Sequence, residues 1–390
     1  MGYRYAILGA GRQGTALAYD LAKNGEAERI TLADIDPDIT RRAIERLQTL
    51  LPQTKCQFLG VICDVSKPAE VAMTITGCDV VLSAAPYRFN VPLTDAAIFA
   101  GASFCDLGGN THVVQHQLRR HEGAVEAGVS IVPDCGLAPG LGNTLAAHGI
   151  GAMDQPQDVH VRCGGLPAEP VGPLGYKLVF NFDGLINEYS GHGDFLRNGR
   201  RVEIPALTEL EDIEFPPPVG RCEAAVTSGG TSTCAETFAD QLRTYDYKTV
   251  RYPGHFAVIR ALFELGCFDE HVALAGDETI EPRPLLRKLM EQRLEFPEVR
   301  DVVVLRCTVA GQHAGRACTR QYDLFDRHDE QTGFTAMERT TAFPAALVAY
   351  FQARRLVPPG ARPLELAVPP GPYVDELPAH DINLQCRVEP

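Results

Sequence analysis

The chain has 390 residues, too many for one ordinary core, so two domains are expected. Its hydrophobic fraction of 45% is that of a globular protein and argues against a disordered chain. A formal charge of −14 argues against nucleic acid or an anionic membrane surface as the main partner.

Residues 3–8, "YRYAIL", read as a buried strand, followed by the glycine loop "GAGRQG" and a helix closed by Gly25. "RITLAD" (29–34) is a second strand. "PDITRRAIERLQTLL" is a helix with Pro37 at its start, and "QFLGVICD" is a third strand. Helical stretches then alternate with "DVVLSAAP" (79–86), "SFCDLGG" (103–109) and "VSIVPDCG" (129–136). Six strands separated by helices predict a doubly wound parallel (Rossmann) sheet in an α/β protein. After about residue 155 longer strand-like runs take over: "VHVRCGG", "YKLVFNF", "YKTVRY", and "VVVLRCTVAG" paired with "ACTRQYDLF" as a hairpin. "FPPPV" (215–219) is a rigid connection within this region. The expected division is a dinucleotide-binding domain over 1–136, an α+β substrate domain over 137–335, and a C-terminal segment, 336–390. That last segment is read as a helix over 337–355 and an extended, surface-bound Pro-rich tail, packing back on the first domain.

Twelve cysteines occur without one Cys-x-x-Cys pair, so no metal site is expected and free thiols in a reducing cytoplasm are. No apolar run reaches the roughly 18 residues of a membrane span. The opening "MGYRYAILGAG" runs straight into a strand, unlike a signal peptide.

Gly9-x-Gly11-x-x-Gly14 follows a strand, opens a helix and has Asp34 downstream, the context a dinucleotide fingerprint requires. The helix start offers N–H groups and partial positive charge to a pyrophosphate, with Arg12 and Gln13 in the same turn. Asp34 suits two ribose hydroxyls and repels a 2′-phosphate, which predicts NAD over NADP. Arg12 could still pair with that phosphate. By position in the fold, Asp64, Ser83, Ala84, Ala85 and Pro86 border the cofactor. Leu107 and Gly108, together with Asp106 and Asp134, lie toward the nicotinamide end. Both aspartates read equally well as turn formers.

In the second half "TSGGTST" (Thr227, Ser228, Gly229, Gly230, Thr231, Ser232, Thr233) has no Gly-Lys-Ser/Thr pattern, so a second phosphate loop is not expected. Downstream, "TYDYKTVRYPGH" packs Tyr247, Lys248, Arg251, Tyr252 and His255 closely. On a strand, Tyr247 and Arg251 share one face and Lys248 the other. Arg or Lys suits a substrate carboxylate, and His a proton transfer.

Together "GAGRQG", "TLADID", "DLGGN", "PDCGLAPG", "VRCGGLP", "TSGGTST" and "DYKTVRYPGH" resemble the saccharopine dehydrogenase-like reductases, above all the lysine 6-dehydrogenase branch. The resemblance implies NAD-dependent oxidation of an amino-acid C–N bond, with release of ammonia, in a homodimer or higher oligomer. A lysine ammonium, with a pKa near 10.4, must lose its proton before hydride can leave. On this reading "TSGGTST" and Arg251 hold an α-carboxylate. Lys248, His255, Asp106 and Asp134 are the candidates for proton transfer. Saccharopine or a carboxylated polyamine as substrate, and a non-catalytic nucleotide sensor, are the alternatives.

Overall fold

The computed structural model describes residues 2–180, 182–273 and 279–389. Its first sheet contains β1 (Tyr3–Leu8), β2 (Ala27–Asp34), β3 (Gln57–Ile62), β4 (Val80–Ser83), β5 (Ser103–Asp106) and β6 (Ser130–Val132). All are parallel, in the order β6-β5-β4-β1-β2-β3. Tyr5 to Leu8 are fully buried, as a central strand covered on both faces by helices must be. The strand order reverses between β1 and β4, the place at which ligands bind at the carboxyl ends of such sheets. Local sequence sets the helix ends: Asp36 caps the helix Pro37–Leu50 by accepting from the Asp38 amide.

The second sheet is mixed. It holds β7 (Gln155–Pro167), β8 (His192–Arg197), β9 (Arg200–Pro205), β10 (Glu211–Phe215), β11 (Gly220–Val226) and β12 (Thr244–Arg251). The hairpin Asp301–His313/Arg316–Arg327 and the strand Leu384–Glu389 complete it. Strand β12 runs parallel to β7 and antiparallel to β11. "FPPPV" makes the turn between β10 and β11.

Two expectations fail. "YKLVFNF" forms no strand. Its described part is irregular chain leading into the helix Phe182–Tyr189, and Asn181 lies outside the described residues. Tyr176, Val179 and Phe182 fill a core cluster with Leu185, Ile186 and Tyr189 instead of pairing with the sheet. Nor is the Pro-rich tail an extended surface strap. Leu364, Ala367, Val368, Tyr373, Leu377 and Ile382 are buried, because apolar residues recur between the prolines and short helices turn them inward. Gly360–Ala361 even adds a seventh parallel strand beside β6.

The helix Ala336–Ala353 locks the halves together. A Thr335/Glu338 capping box starts it, and it buries residues all round, as a helix with no solvent face does. It packs on the helix Arg12–Asn24 and on β4 and β5 of the first sheet, and on Asp301–His313 of the second. Gln352 donates to the carbonyls of Phe104 and Ser130. One core cluster therefore runs from Tyr5 and Leu32 through Phe343 and Leu347 to Val159 and Val303. Each such fully buried side chain contributes about 1.5–3 kcal/mol.

Candidate active site

The glycine loop is shaped for a ligand. A Cβ on Gly14 would lie 1.8 Å from the Gly9 carbonyl oxygen, so only glycine lets the helix close on the strand. A Cβ on Gly11 would meet nothing within 4 Å, so at this position no protein atom requires glycine. No side chain caps the helix Arg12–Asn24, and its first-turn amides are left for a ligand. Asp34 stands at the end of β2, where Oδ2 accepts the Ala10 amide at 2.9 Å and Oδ1 the Asp36 amide at 3.1 Å. These features fit a dinucleotide: an open cradle, free amides and a carboxylate at the ribose position.

Three neighbours depart from expectation. Arg12 turns away from the phosphate position to Glu338 and Thr335, drawn by a nearly buried carboxylate. Ser83 is buried and donates to Asn90 Oδ1, so its hydroxyl serves the sheet–helix layer and not a cofactor. Asp64 closes its own turn by accepting from the Ser66 amide and hydroxyl, which hold its carboxyl below the usual range. Gln13 donates to the Met337 carbonyl, and its Oε1 is buried without a partner among the described residues. Ala84 abuts Gly9, in the row Ala84, Ala85 and Pro86 at the mouth of β4.

The carboxyl ends of β5 and β6 meet the second domain. Asp106 is buried, accepts from the Gly108 and Asp134 amides and from Gln117, and orders the turn through Leu107. Asp134 sits at φ 60 and Ser232 at φ 47, both left-handed non-glycine residues, and the Ser232 hydroxyl donates to Asp134 Oδ2. Strain on both sides of one interdomain hydrogen bond needs a well-determined surround. Burial, and then Asp106, push the Asp134 carboxyl up to about 8. Its Oδ1 is buried and unpartnered among the described residues. Asp106 and Asp134 thus brace the loops between the domains, and their burial argues against direct proton exchange with a substrate.

The loop 227–233 does not present its hydroxyls as a clamp. Thr227 bonds Thr249 at 2.7 Å, Ser228 donates to the Asn187 carbonyl, and Thr233 donates to Glu365 at 2.7 Å. Asn143 holds the Thr231 carbonyl at 2.9 Å, and a Cβ on Gly230 would lie 2.2 Å from the Tyr247 ring. Buried hydroxyls need partners, and for Thr227, Ser228, Ser232 and Thr233 the protein supplies them. What remains open is backbone: among the described residues the Gly229, Gly230 and Thr231 amides meet no acceptor.

Arg251 and His255 are likewise inside. Arg251 Nε donates to the Tyr189 hydroxyl at 2.9 Å, and its guanidinium lies over the Tyr176 ring. The Leu174 carbonyl can only accept, so His255 Nδ1 carries the proton and Nε2 accepts from Tyr189. Burial, and then Arg251, lower His255 to about 3. A ring held neutral that far down cannot cycle protons near pH 7, which overturns the expected proton-transfer role. Lys248 fails for a different reason. It points to the opposite face of β12, where Nζ donates to the Glu209 carbonyl at 2.6 Å and to Glu211 at 2.7 Å. Glu211 also pairs with Arg162, which bonds Asp246, so Lys248 belongs to a structural ion network.

The residue that sequence reasoning missed is Glu188. It accepts from Arg251 at 3.2 Å, yet its side chain stays 26% exposed while Arg251 is 2% exposed. Burial raises its carboxyl, and Arg251 only partly opposes that. Its carbonyl accepts the Ser228 amide at 2.9 Å, and the neighbouring Asn187 side chain donates to the Gly109 carbonyl at 2.9 Å. Glu188 therefore lies where the "DLGGN" turn of the first domain, the helix Phe182–Tyr189 and the 227–233 loop converge. A partly exposed acid against one buried guanidinium can bind an ammonium and take its proton.

Residues 5–132 match the family model described as saccharopine dehydrogenase NADP binding domain, and residues 136–382 that of the saccharopine dehydrogenase C-terminal domain. The chain is 25% identical over 226 residues to the saccharopine dehydrogenase [NADP(+), L-glutamate-forming] of Schizosaccharomyces pombe, covering 54% of this chain and 48% of that one. It is 20% identical over 344 residues to the mitochondrial alpha-aminoadipic semialdehyde synthase of Rattus norvegicus, covering 70% and 36%. The chain thus spans less than half the length of these curated relatives. The apo saccharopine dehydrogenase (L-Glu forming) of Saccharomyces cerevisiae superposes with a TM-score of 0.79 at 18% identity, covering 100% of both chains, a likeness of fold.

Proposed function

The chain belongs to the saccharopine dehydrogenase family, and from that premise we propose that it is an NAD(P)-dependent oxidoreductase acting on the C–N bond of an amino acid. The single observation that carries this reading is Glu188, an acid about a quarter exposed at the meeting of the two domains. We assign L-lysine as substrate, oxidised at the ε-carbon. A bound nicotinamide supplies the acceptor for the hydride from that carbon. Glu188 takes the proton from the ammonium first. Burial favours the transfer from both sides, because it raises a carboxyl and lowers an ammonium. The amine has then lost a proton and a hydride, and the imine adds water and releases ammonia. The aldehyde condenses with the α-amine of the same molecule, losing water. The Gly229, Gly230 and Thr231 amides are our choice for the α-carboxylate, in place of the loop hydroxyls.

NAD is the cofactor we favour. Asp34 opposes a 2′-phosphate, and Arg12, the cation that could offset it, is tied to Glu338. A cytoplasmic setting fits twelve unpaired cysteines, and a homo-oligomer is proposed on resemblance alone. Among the described residues, no helix is long and apolar enough to cross a membrane.

Lysine with NAD should raise the absorbance of reduced nicotinamide. No rise with lysine, but consumption of reduced cofactor with an aldehyde and an amino donor, assigns saccharopine-type chemistry instead. Tight cofactor binding with no turnover of either kind supports the nucleotide sensor.

A further inference from the structure

Beyond the cleft, the helix Thr111–Leu118 carries the sequence His112-Val-Val-Gln-His116. Positions four apart lie on one helix face. Val114 and Gln117 face inward, His112 is exposed and His116 half-buried. The two rings meet edge to face with centroids 4.7 Å apart, and their Nε2 atoms are 3.2 Å apart. Two nitrogens each 2.0–2.1 Å from a tetrahedral zinc ion stand about 3.3 Å apart. The pair already has the bite of the ion.

We propose that His112 and His116 form a surface site for a divalent transition-metal ion of the zinc class, with both Nε2 atoms as ligands. In the free protein one Nε2–H donates to the other Nε2. On metal binding that proton moves to Nδ1 of the same ring, both Nε2 lone pairs face the ion, and neutral rings release no net proton. Water completes the coordination. The ion clips the first turns of a helix whose cap, Asn110, ends the "DLGGN" turn, and whose Val114 borders the Asp134–Ser232 contact. The site stands independently of the proposed activity.

The test titrates zinc alone into the untagged full chain, followed by calorimetry and thermal melting, for the native protein and for His112→Gln, His116→Gln and the double variant. Exposed Cys386 and the group His192, Asp194 and Glu203 are present in every one, so the difference between proteins is the readout. The expected result is one more zinc bound by the native chain than by the double variant. Its melting temperature rises with zinc, and either single variant loses the rise. Melting without metal reports whether the substitutions leave the fold intact. Equal zinc uptake and equal melting shifts in native and double variant would overturn the proposal, as would no binding by any of them.

Discussion

Two loops of this protein, 9–14 and 227–233, look alike as strings of small residues and behave as opposites. The first leaves space: Gly11 faces nothing within 4 Å, and the helix behind it has no side-chain cap. The second is largely filled: Gly229 meets nothing within 4 Å, but Gly230 is pressed on Tyr247, and Thr227, Ser228, Ser232 and Thr233 turn their hydroxyls to protein partners. Gly230 is glycine because protein atoms leave no room for a Cβ, whereas the space at Gly11, in front of an uncapped helix start, suits a ligand. The hydroxyls of the second loop hold the domains in register, its amides are left for the proposed carboxylate, and the proton transfer moves to its neighbour Glu188.

Breaking the scaffold should cost the most. Gly230→Ala drives a methyl group into the Tyr247 ring, and we expect a loss of about 3 kcal/mol or more, read as a lowered unfolding midpoint. Unchanged stability would mean that the loop is not packed as described.

Asp134→Asn tests the strained contact through pH. The carboxyl titrates at about 8 in the folded chain and near 3.9 in the unfolded one. Between these values the folded state holds the extra proton. The stabilisation from this group is complete below about pH 4 and lost as pH rises through about 8. The variant should lack that decline, a slope of up to about 1.4 kcal/mol per pH unit. Denaturant melts from pH 4 to 9 give the comparison.

Gly11→Ala should cost at most about 1 kcal/mol of stability, as a poorer helix cap, and weaken cofactor binding by about tenfold or more, equivalent to about 1.4 kcal/mol. Calorimetry with NAD and NADP reads this. Tighter binding of NADP than NAD by the native chain would remove the role given to Asp34. The smallest effect expected is that of Thr227→Val, which removes the 2.7 Å bond to Thr249, leaves Thr249 its 3.2 Å bond to the Tyr247 hydroxyl and costs about 1 kcal/mol.

The glycine fingerprint was legible because its rule is local, a turn and a helix start fixed by spacing. The alternation along Thr244–Arg251 separated Lys248 from Arg251, but which face met the cleft depended on the helix Phe182–Tyr189 packing there. Glu188 was silent for the same reason: "LINEYS" reads as an ordinary amphipathic turn until the fold sets it against Arg251 and Ser228. His255 misled because a histidine near charges suggests a base, whereas full burial beside Arg251 makes it a fixed acceptor. The tail misled because its prolines drew attention from the leucines and alanines between them.

The most direct test is the pH dependence of kcat/KM for the native protein and for Glu188→Gln, with the substrate found by the lysine assay. The native protein should lose activity on the acid side as Glu188 takes a proton, above the usual carboxylate range because burial raises it. Glu188→Gln should lose about 10²–10⁴-fold in turnover together with that acid limb, while cofactor affinity stays the same. A variant that keeps both native turnover and the native acid limb would contradict the account.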